Sequence, residues 1–318
     1  MRPLQVVVIS DGRPGHEKQS RAILEELLSL TEVKSIYLAA PELTWKAYLR
    51  YAMILTAGIG ALSNIPPAGP ADLVLGAGTR THLPMLAYKR QCSARLVVCM
   101  SPERWLRPWF DLCLVPRHDQ LAERSNLFAT FGPPCLQATP GNRDPQKGLI
   151  LVGGRDPKSH YWDGQKLMEQ IKTLVAGNTN LKWVISSSPR TPLETEVLLD
   201  QFAQVTPATR FISSQATPRG WIEAAYAESA HVWVTADSVS MVYEALTAGC
   251  RVGILPVCWK KTPNKFQYGI DDLKAQGWIV DFDQWRAGCM LPAPVEPLNE
   301  AHRCATEVLK RWWPERLG

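Results

Sequence analysis

The sequence predicts an α/β protein made of two Rossmann-like, doubly wound domains facing across a cleft. Three observations carry that prediction. Short β-rich runs alternate with helical stretches along the whole chain, the pattern of parallel sheets covered by helices on both faces. The unit of strand, glycine turn and helix that opens the chain starts afresh at Leu149, which divides the sequence into two similar halves. With 318 residues, 46% apolar and 20% charged, there is chain enough for two cores, and the composition is not that of a disordered or fibrous protein.

In chain order, the apolar run Gln5–Ile9 is the first strand. It is too short for the core of a secretory signal and enters Asp11-Gly-Arg13 with no small-residue cleavage site. A helix over His16–Leu30, a strand at Val33–Leu38 and a helix at Trp45–Leu55 follow. The longest apolar stretch, Tyr51–Leu62, falls short of a bilayer span. Strands at Leu73–Leu75, Arg95–Met100 and Leu112–Val115, with a helix at Thr81–Lys89, complete the first half. A pause rich in Gly, Pro, Asn and Asp covers Phe131–Lys147. It sets domains at 1–145 and 146–298, with a terminal helix at 299–318 expected to pack back on the first. The second half reads as strands at Gly148–Val152, Lys182–Ser186, Val232–Val234, Arg251–Leu255 and Trp278–Val280. Its helices are expected at Gln165–Ala176, Pro192–Gln204, Gly220–Ala227, Val239–Ala248 and Lys265–Gln276, and a last one at Glu300–Trp312.

The segment Val234–Pro256 is the most informative. It reads as strand, polar turn, helix, glycine stop and strand, with Asp237 or Ser238 able to cap the helix. A helix opening at the carboxyl end of a strand presents unpaired N–H groups and a positive dipole end, which suits phosphate. One turn inside, Glu244 is the only charge on that helix. It is either a carboxylate for the hydroxyls of a polyol such as ribose or a surface residue of an ordinary crossover.

Four further turns follow strands: Ser10–His16, Gly76–Thr81, Gly153–His160 and Ser186–Thr191. Each alone is an ordinary βα connection; together they favour a nucleotide-type ligand at the carboxyl edges of both sheets. Known fingerprints are missing. Gly76-Ala-Gly78 lacks the third glycine of a dinucleotide site, Gly58-Ile-Gly60 lies in an apolar helical stretch, and no Gly-Lys-Ser/Thr follows a loop. There is no Gly-x-Ser-x-Gly elbow. Asp281-Phe-Asp283 has the form of a metal-binding Asp-x-Asp but falls in a turn-rich tail, where it reads as a surface turn. His16, at a helix start, is disfavoured in its protonated form by the dipole and can act as a base, or else serves as a hydrogen-bonder to its own loop. Asp11 is the competing base or the partner that orients it.

The eight cysteines form no Cys-x-x-Cys pair and mostly sit in apolar runs, so they read as reduced, buried thiols without a metal role. Net charge is +5, and between Trp45 and Arg124 ten Lys or Arg stand against five Asp or Glu. Aromatic residues interleave with them in Trp45–Tyr51 and Arg104–Phe110. That mixture suits an anionic membrane surface, and equally a solvated helix face over a buried aromatic stripe. No nucleic-acid motif accompanies the charge, so nucleic acid is not an expected partner.

The runs Ser10-Asp-Gly-Arg-Pro-Gly-His-Glu-Lys-Gln-Ser20, Gly76-Ala-Gly-Thr-Arg-Thr-His82, Gly153-Gly-Arg-Asp156 and Asp237-Ser-Val-Ser-Met-Val-Tyr-Glu-Ala245 together resemble one family. It is named after a plant elongated-mitochondria (mitochondrial fission) protein, and its bacterial members are assigned by similarity as glycosyltransferases. The order of loops is also similar to the two-domain GT-B N-acetylglucosaminyltransferase that makes lipid II. The resemblance implies a nucleotide-sugar donor held by Gly153, Gly154, Arg155, Ser187, Arg190, Ser238, Ser240, Met241, Glu244 and Gln267. It implies phosphate or acceptor loops at Gly12, Arg13, Gly15, Gly76, Gly78, Thr79 and Arg80, with His16 and Asp11 as the catalytic residues. No cofactor or metal is expected. Expected partners are a nucleoside diphosphate sugar, a lipid-linked or cell-envelope acceptor and the anionic face of the inner membrane, in the cytoplasm. Arg13-Pro14 stands where the lipid II enzyme has glycines, and its pair of sugar-contacting glutamines is reduced to Gln267, so the donor sugar is not carried over. Three classes of function remain open: an inverting glycosyltransferase, an inactive scaffold of the same fold that binds nucleotide sugars or a membrane partner, and a nucleotide-sugar epimerase.

Overall fold

The computed structural model describes residues 1–42, 44, 46, 70–90, 92–137, 143–262, 264–293 and 298–317. The expected helix Trp45–Leu55, the apolar stretch Tyr51–Leu62 and Gly58–Gly60 lie outside the described residues. The chain separates into two compact units, one of residues 1–136 with 299–318 and one of residues 137–298.

In the first unit, strands β1 (Leu4–Ser10), β2 (Val33–Ala39), β3 (Leu73–Ala77), β4 (Arg95–Cys99), β5 (Leu112–Pro116) and β6 (Leu127–Thr130) form one parallel sheet. Its spatial order is β2-β1-β3-β4-β5-β6. Helix α1 (Pro14–Leu30) follows β1 and α2 (Thr79–Lys89) follows β3. The central strands are buried on both faces, as parallel strands must be when helices cover each side. One face packs Val7, Val74, Leu96 and Val98 against Leu83, Met85, Leu86 and Tyr88 of α2. The other packs Leu4, Val6, Val8 and Leu73 against Ile23 and Leu27 of α1.

The second unit repeats the scheme with β7 (Asp144–Leu151), β8 (His160–Tyr161), α3 (Gly164–Ala176), β9 (Lys182–Ser186), α4 (Leu193–Val205), β10 (Thr209–Ile212), α5 (Trp221–Glu228), β11 (Ser229–Thr235), α6 (Val239–Thr247), β12 (Arg251–Leu255), β13 (Cys258–Trp259), α7 (Lys265–Ala275), β14 (Ile279–Asp281) and α8 (Phe282–Arg286). Six strands make a parallel sheet in the order β10-β9-β7-β11-β12-β14, the dinucleotide-fold order, while β8 and β13 pair separately and antiparallel. Gly148 and Gly253 leave room in this sheet for Trp183 and Trp233, both almost fully buried. The chain then returns to the first unit as α9 (Glu300–Trp312), which joins the α1 face of its core through Cys304, Ala305, Val308 and Leu309.

Sequence reasoning missed β6 and β10. Each is a four-residue strand at the edge of its sheet, half-solvated, so neither carries the apolar run of a central strand. It also missed the polar start of β7, where Ser229 pairs with Asp144 beyond a register irregularity. Asp281-Phe-Asp283 is not a simple turn. Asp281 caps α8 in a reciprocal capping box with Gln284 and bonds Lys274, while Phe282 is buried. Of the eight cysteines, five are buried, and Cys258 and Cys289 are exposed.

His82, in the first turns of α2, is 2% exposed, meets Phe110 edge-on at 5.6 Å, and its Nε2 has no partner among the described residues. Burial pushes its pKa down to about 4, with His16 lowering it further and Glu103 opposing. The folded state therefore holds the neutral ring. Its contribution to stability is present above the unfolded pKa of about 6.5 and is lost as pH falls from there toward 4. A loss on the order of 3 kcal/mol is expected across that window. It should be absent in a His82→Phe variant when urea midpoints are followed from pH 7 to pH 4.

Candidate functional site

In each sheet the chain reverses direction of travel once, between β1 and β3 in the first unit and between β7 and β11 in the second. Ligands of open α/β sheets bind outside the carboxyl ends of the strands at such a point. The segments singled out in the sequence lie there: Asp11–His16 after β1, Gly78–Arg80 after β3, Gly153–Arg155 after β7 and Asp237–Ser240 after β11.

At the first of these edges, the Asp11 side chain is 1% exposed and its Oδ2 lies 2.9 Å from His16 Nδ1. Its Oδ1 accepts from Arg13 N–H at 3.2 Å. Asp11 is thus the partner that orients His16. A neutral imidazole beside that carboxylate carries its proton on Nδ1, which leaves Nε2 with a free lone pair. Gly78 closes the arrangement from the β3 side. Its φ is +88°, and a Cβ there would collide with the His16 ring. The loop is otherwise satisfied locally: Gly12 N–H donates to Ser10 Oγ, and His16 and Glu17 N–H donate to Arg13 C=O. The loop mounts the Asp11–His16 pair, and the exposed Arg13 side chain brings Nε to 3.9 Å from Asp11 Oδ2. Gly76 differs from expectation, since it lies inside β3 and is needed for packing against Met85, Thr81 and Ile9. Thr79 and Arg80 are exposed at the opening of α2, whose N-cap Gly78 supplies no side chain.

At the second edge, Gly153 and Gly154 pass so close to Asp237 and to the Arg190 backbone that a Cβ on either would clash. The N–H groups of Gly153, Gly154 and Arg155 each donate within the protein. Gly153 N–H donates to Thr235 Oγ1 at 2.8 Å, Gly154 N–H to Asp237 Oδ2 at 3.0 Å, and Arg155 N–H to Arg190 C=O at 3.0 Å. The two glycines allow this close packing against Asp237 and the Arg190 backbone. His160, 2% exposed, faces the Gly154 carbonyl through Nε2 at 3.0 Å and Ser159 Oγ through Nδ1 at 2.8 Å, fixing the loop from below. Arg155 reaches Glu194 on the surface at 2.6 Å, and Ser187 bonds Glu196 and Ser214 N–H. Both side chains have protein partners, the Arg155–Glu194 pair lying in solvent.

What remains open is the start of α6. Its N-cap Ser238 makes no side-chain cap, so the N–H groups of Val239, Ser240 and Met241 have no intrahelical acceptor. Arg190 stands beside it, 43% exposed, with Nη2 3.0 Å from Asp237 Oδ2. Ser240 is exposed, and Glu244, four residues on and half-buried, shares its face of the helix. In the same unit, Asn264 caps α7, bonding the N–H groups of Phe266 and Gln267, and leaves Gln267 Oε1 buried and unpartnered among the described residues. Sequence reasoning missed Asp237 and His160 as members of this site. In the sequence Asp237 reads as a helix cap and as the start of the run Asp237–Ala245; its spacing gives no sign that it turns back to another loop.

Among the described residues no group of three His, Cys, Asp or Glu is placed to hold a metal ion, and no helix is long and apolar enough to cross a membrane. Of the two basic aromatic runs, Trp45–Tyr51 lies mostly outside the described residues. In the other, around the short 3₁₀ turn Arg107–Trp109, Trp105 and Trp109 are exposed while Leu106 and Phe110 are buried.

Two doubly wound units in one chain, with these edges, define the fold of GT-B glycosyltransferases and of UDP-N-acetylglucosamine 2-epimerases. The chain matches the mitochondrial fission ELM1 family over residues 14–312 and belongs to that family. Among solved structures it is similar to a Listeria monocytogenes protein provisionally assigned as a UDP-N-acetylglucosamine 2-epimerase, at 13% identity and a TM-score of 0.64, covering 98% of this chain and 97% of that one. It is similar to the UDP-GlcNAc 2-epimerase of Neisseria meningitidis bound to UDP-GlcNAc, at 13% identity, TM-score 0.58, and 97% and 99% coverage. It is also similar to the glycosyltransferase SnogD of Streptomyces nogalater, at 12% identity, TM-score 0.51, and 98% and 95% coverage. No protein of curated function matches the chain significantly.

Proposed function

We propose that the protein is an inverting, metal-independent glycosyltransferase that moves a sugar from a nucleoside diphosphate donor to a lipid-linked or envelope acceptor. The observation that carries this reading is the uncapped opening of α6 at the switch point of the second sheet, flanked by the Arg190 guanidinium and followed by Glu244. Amide N–H groups and a guanidinium stabilise the charge that grows on a departing diphosphate, at about 3–4 kcal/mol for a well-placed donor. Glu244 takes the ribose hydroxyls and Gln267 Oε1 a sugar hydroxyl. His16, oriented by Asp11, removes the acceptor proton through Nε2 while the hydroxyl attacks the anomeric carbon from the face opposite the diphosphate. Trp105 and Trp109, exposed beside Arg104, support a peripheral contact with an anionic membrane in the cytoplasm.

Donor binding is the first test. UDP-, GDP-, dTDP- and ADP-sugars are screened for a raised thermal midpoint; a ligand at a hundred times its dissociation constant should add roughly 2.7 kcal/mol. No shift with any of them removes the reading. Binding without turnover in the presence of membrane extract favours the scaffold, and conversion of the donor sugar without an acceptor favours the epimerase.

A further inference from the structure

Asp237 is a costly residue to keep. Its side chain is 2% exposed, yet Oδ1 has no hydrogen-bond partner among the described residues. Oδ2 alone accepts from Gly154 N–H and from Arg190 Nη2, each at 3.0 Å, while Arg190 Nη1 lies 3.4 Å from the Gly154 carbonyl oxygen. Desolvation of a buried ion pair often exceeds its attraction, so a neutral pair of similar shape would hold these loops as well. What the charges achieve is placement. One carboxylate ties the loops after β7, β9 and β11 together and fixes a partly exposed guanidinium next to the open N–H groups of α6.

We propose that Asp237 is a positioning residue that, through Gly154 N–H and Arg190, holds a cation ready for the phosphates of a nucleoside diphosphate. This rests on the donor-binding reading above. It makes a counterintuitive demand. Removing a buried negative charge beside an anion site should tighten anion binding if electrostatics alone governs. If Asp237 sets the position of Arg190, the same change weakens binding.

The test titrates free UDP, GDP, ADP and dTDP into the full chain by calorimetry, comparing wild type with Asp237→Asn, Arg190→Gln and the double variant, with thermal midpoints measured alongside. Asp237→Asn is expected to weaken diphosphate binding roughly tenfold or more, the loss of a charge-assisted hydrogen bond. The double variant can rebuild an amide-to-amide contact without charge. It is expected to melt close to wild type yet bind as weakly as Arg190→Gln. Wild-type affinity in Asp237→Asn, or its return in the double variant, would overturn the proposal while leaving donor binding intact. If wild type binds none of the four, the donor reading fails first and this one with it.

Discussion

Replacing His16 with alanine is expected to lower sugar transfer by about 10²–10⁴ while donor affinity and thermal midpoint stay unchanged, the share a positioned general base contributes. The expectation follows from one contact. The Asp11 carboxylate, buried and 2.9 Å from His16 Nδ1, makes Nε2 the basic nitrogen. Asp11→Asn tests the same point from the other side. An asparagine amide can donate to Nδ1, which moves the ring proton to Nε2 and removes the lone pair; losses of about 10⁴ follow such a tautomer error in hydrolases. Single-turnover rates measured with a bound donor separate this from weakened binding. A His16→Ala enzyme with wild-type turnover would reduce the pair to a loop fastening, with Gly78 kept small only to make room for it.

The repeat of strand, glycine turn and helix made both sheets legible, because parallel strands buried on two faces must be nearly continuous apolar runs. Val6–Ile9, Val97–Cys99 and Val232–Val234 are of that kind, and each is buried. The edge strands Leu127–Thr130 and Thr209–Ile212 have one side toward solvent and no such run, so they stayed hidden. The site was legible as a set of segments and not as a set of contacts. Glycines at Gly153 and Gly154 look alike whether they make room for a phosphate or for a neighbouring loop, and the sequence gives no sign of the close approach of Asp237 and Arg190. Arg155, Ser187 and Arg190 have the chemistry of anion binding; Glu194 and Glu196, which occupy the first two, sit on α4 at positions that only the folded chain brings into reach. Asp237 was hidden for the same reason, since its partners lie 47 and 83 residues away in sequence.

Ending the chain at Leu298 is expected to unfold the first unit and spare the second. Helix α9 comes last in the sequence but fills the α1 face of the first core. Cys304, Ala305, Val308 and Leu309 are each fully buried against Leu4, Val6, Ile23 and Leu27. Polar contacts hold its start: Asn299 caps it through His302 N–H, and Glu300, 1% exposed, accepts from Phe131 N–H at 3.0 Å and from Arg303 at 2.6 and 2.7 Å. Leu309→Ala alone should cost about 2–5 kcal/mol, the usual range for opening a cavity in such a core. A domain's net stability is commonly about 5–15 kcal/mol, so losing the whole helix exceeds what the unit can absorb. Limited proteolysis of the shortened chain should leave a resistant fragment near residues 137–298, which has its own sheet and core. If residues 1–136 resist equally well, α9 is only an ornament on a unit that closes without it, and the burial of Val308 and Leu309 contributes little to its stability.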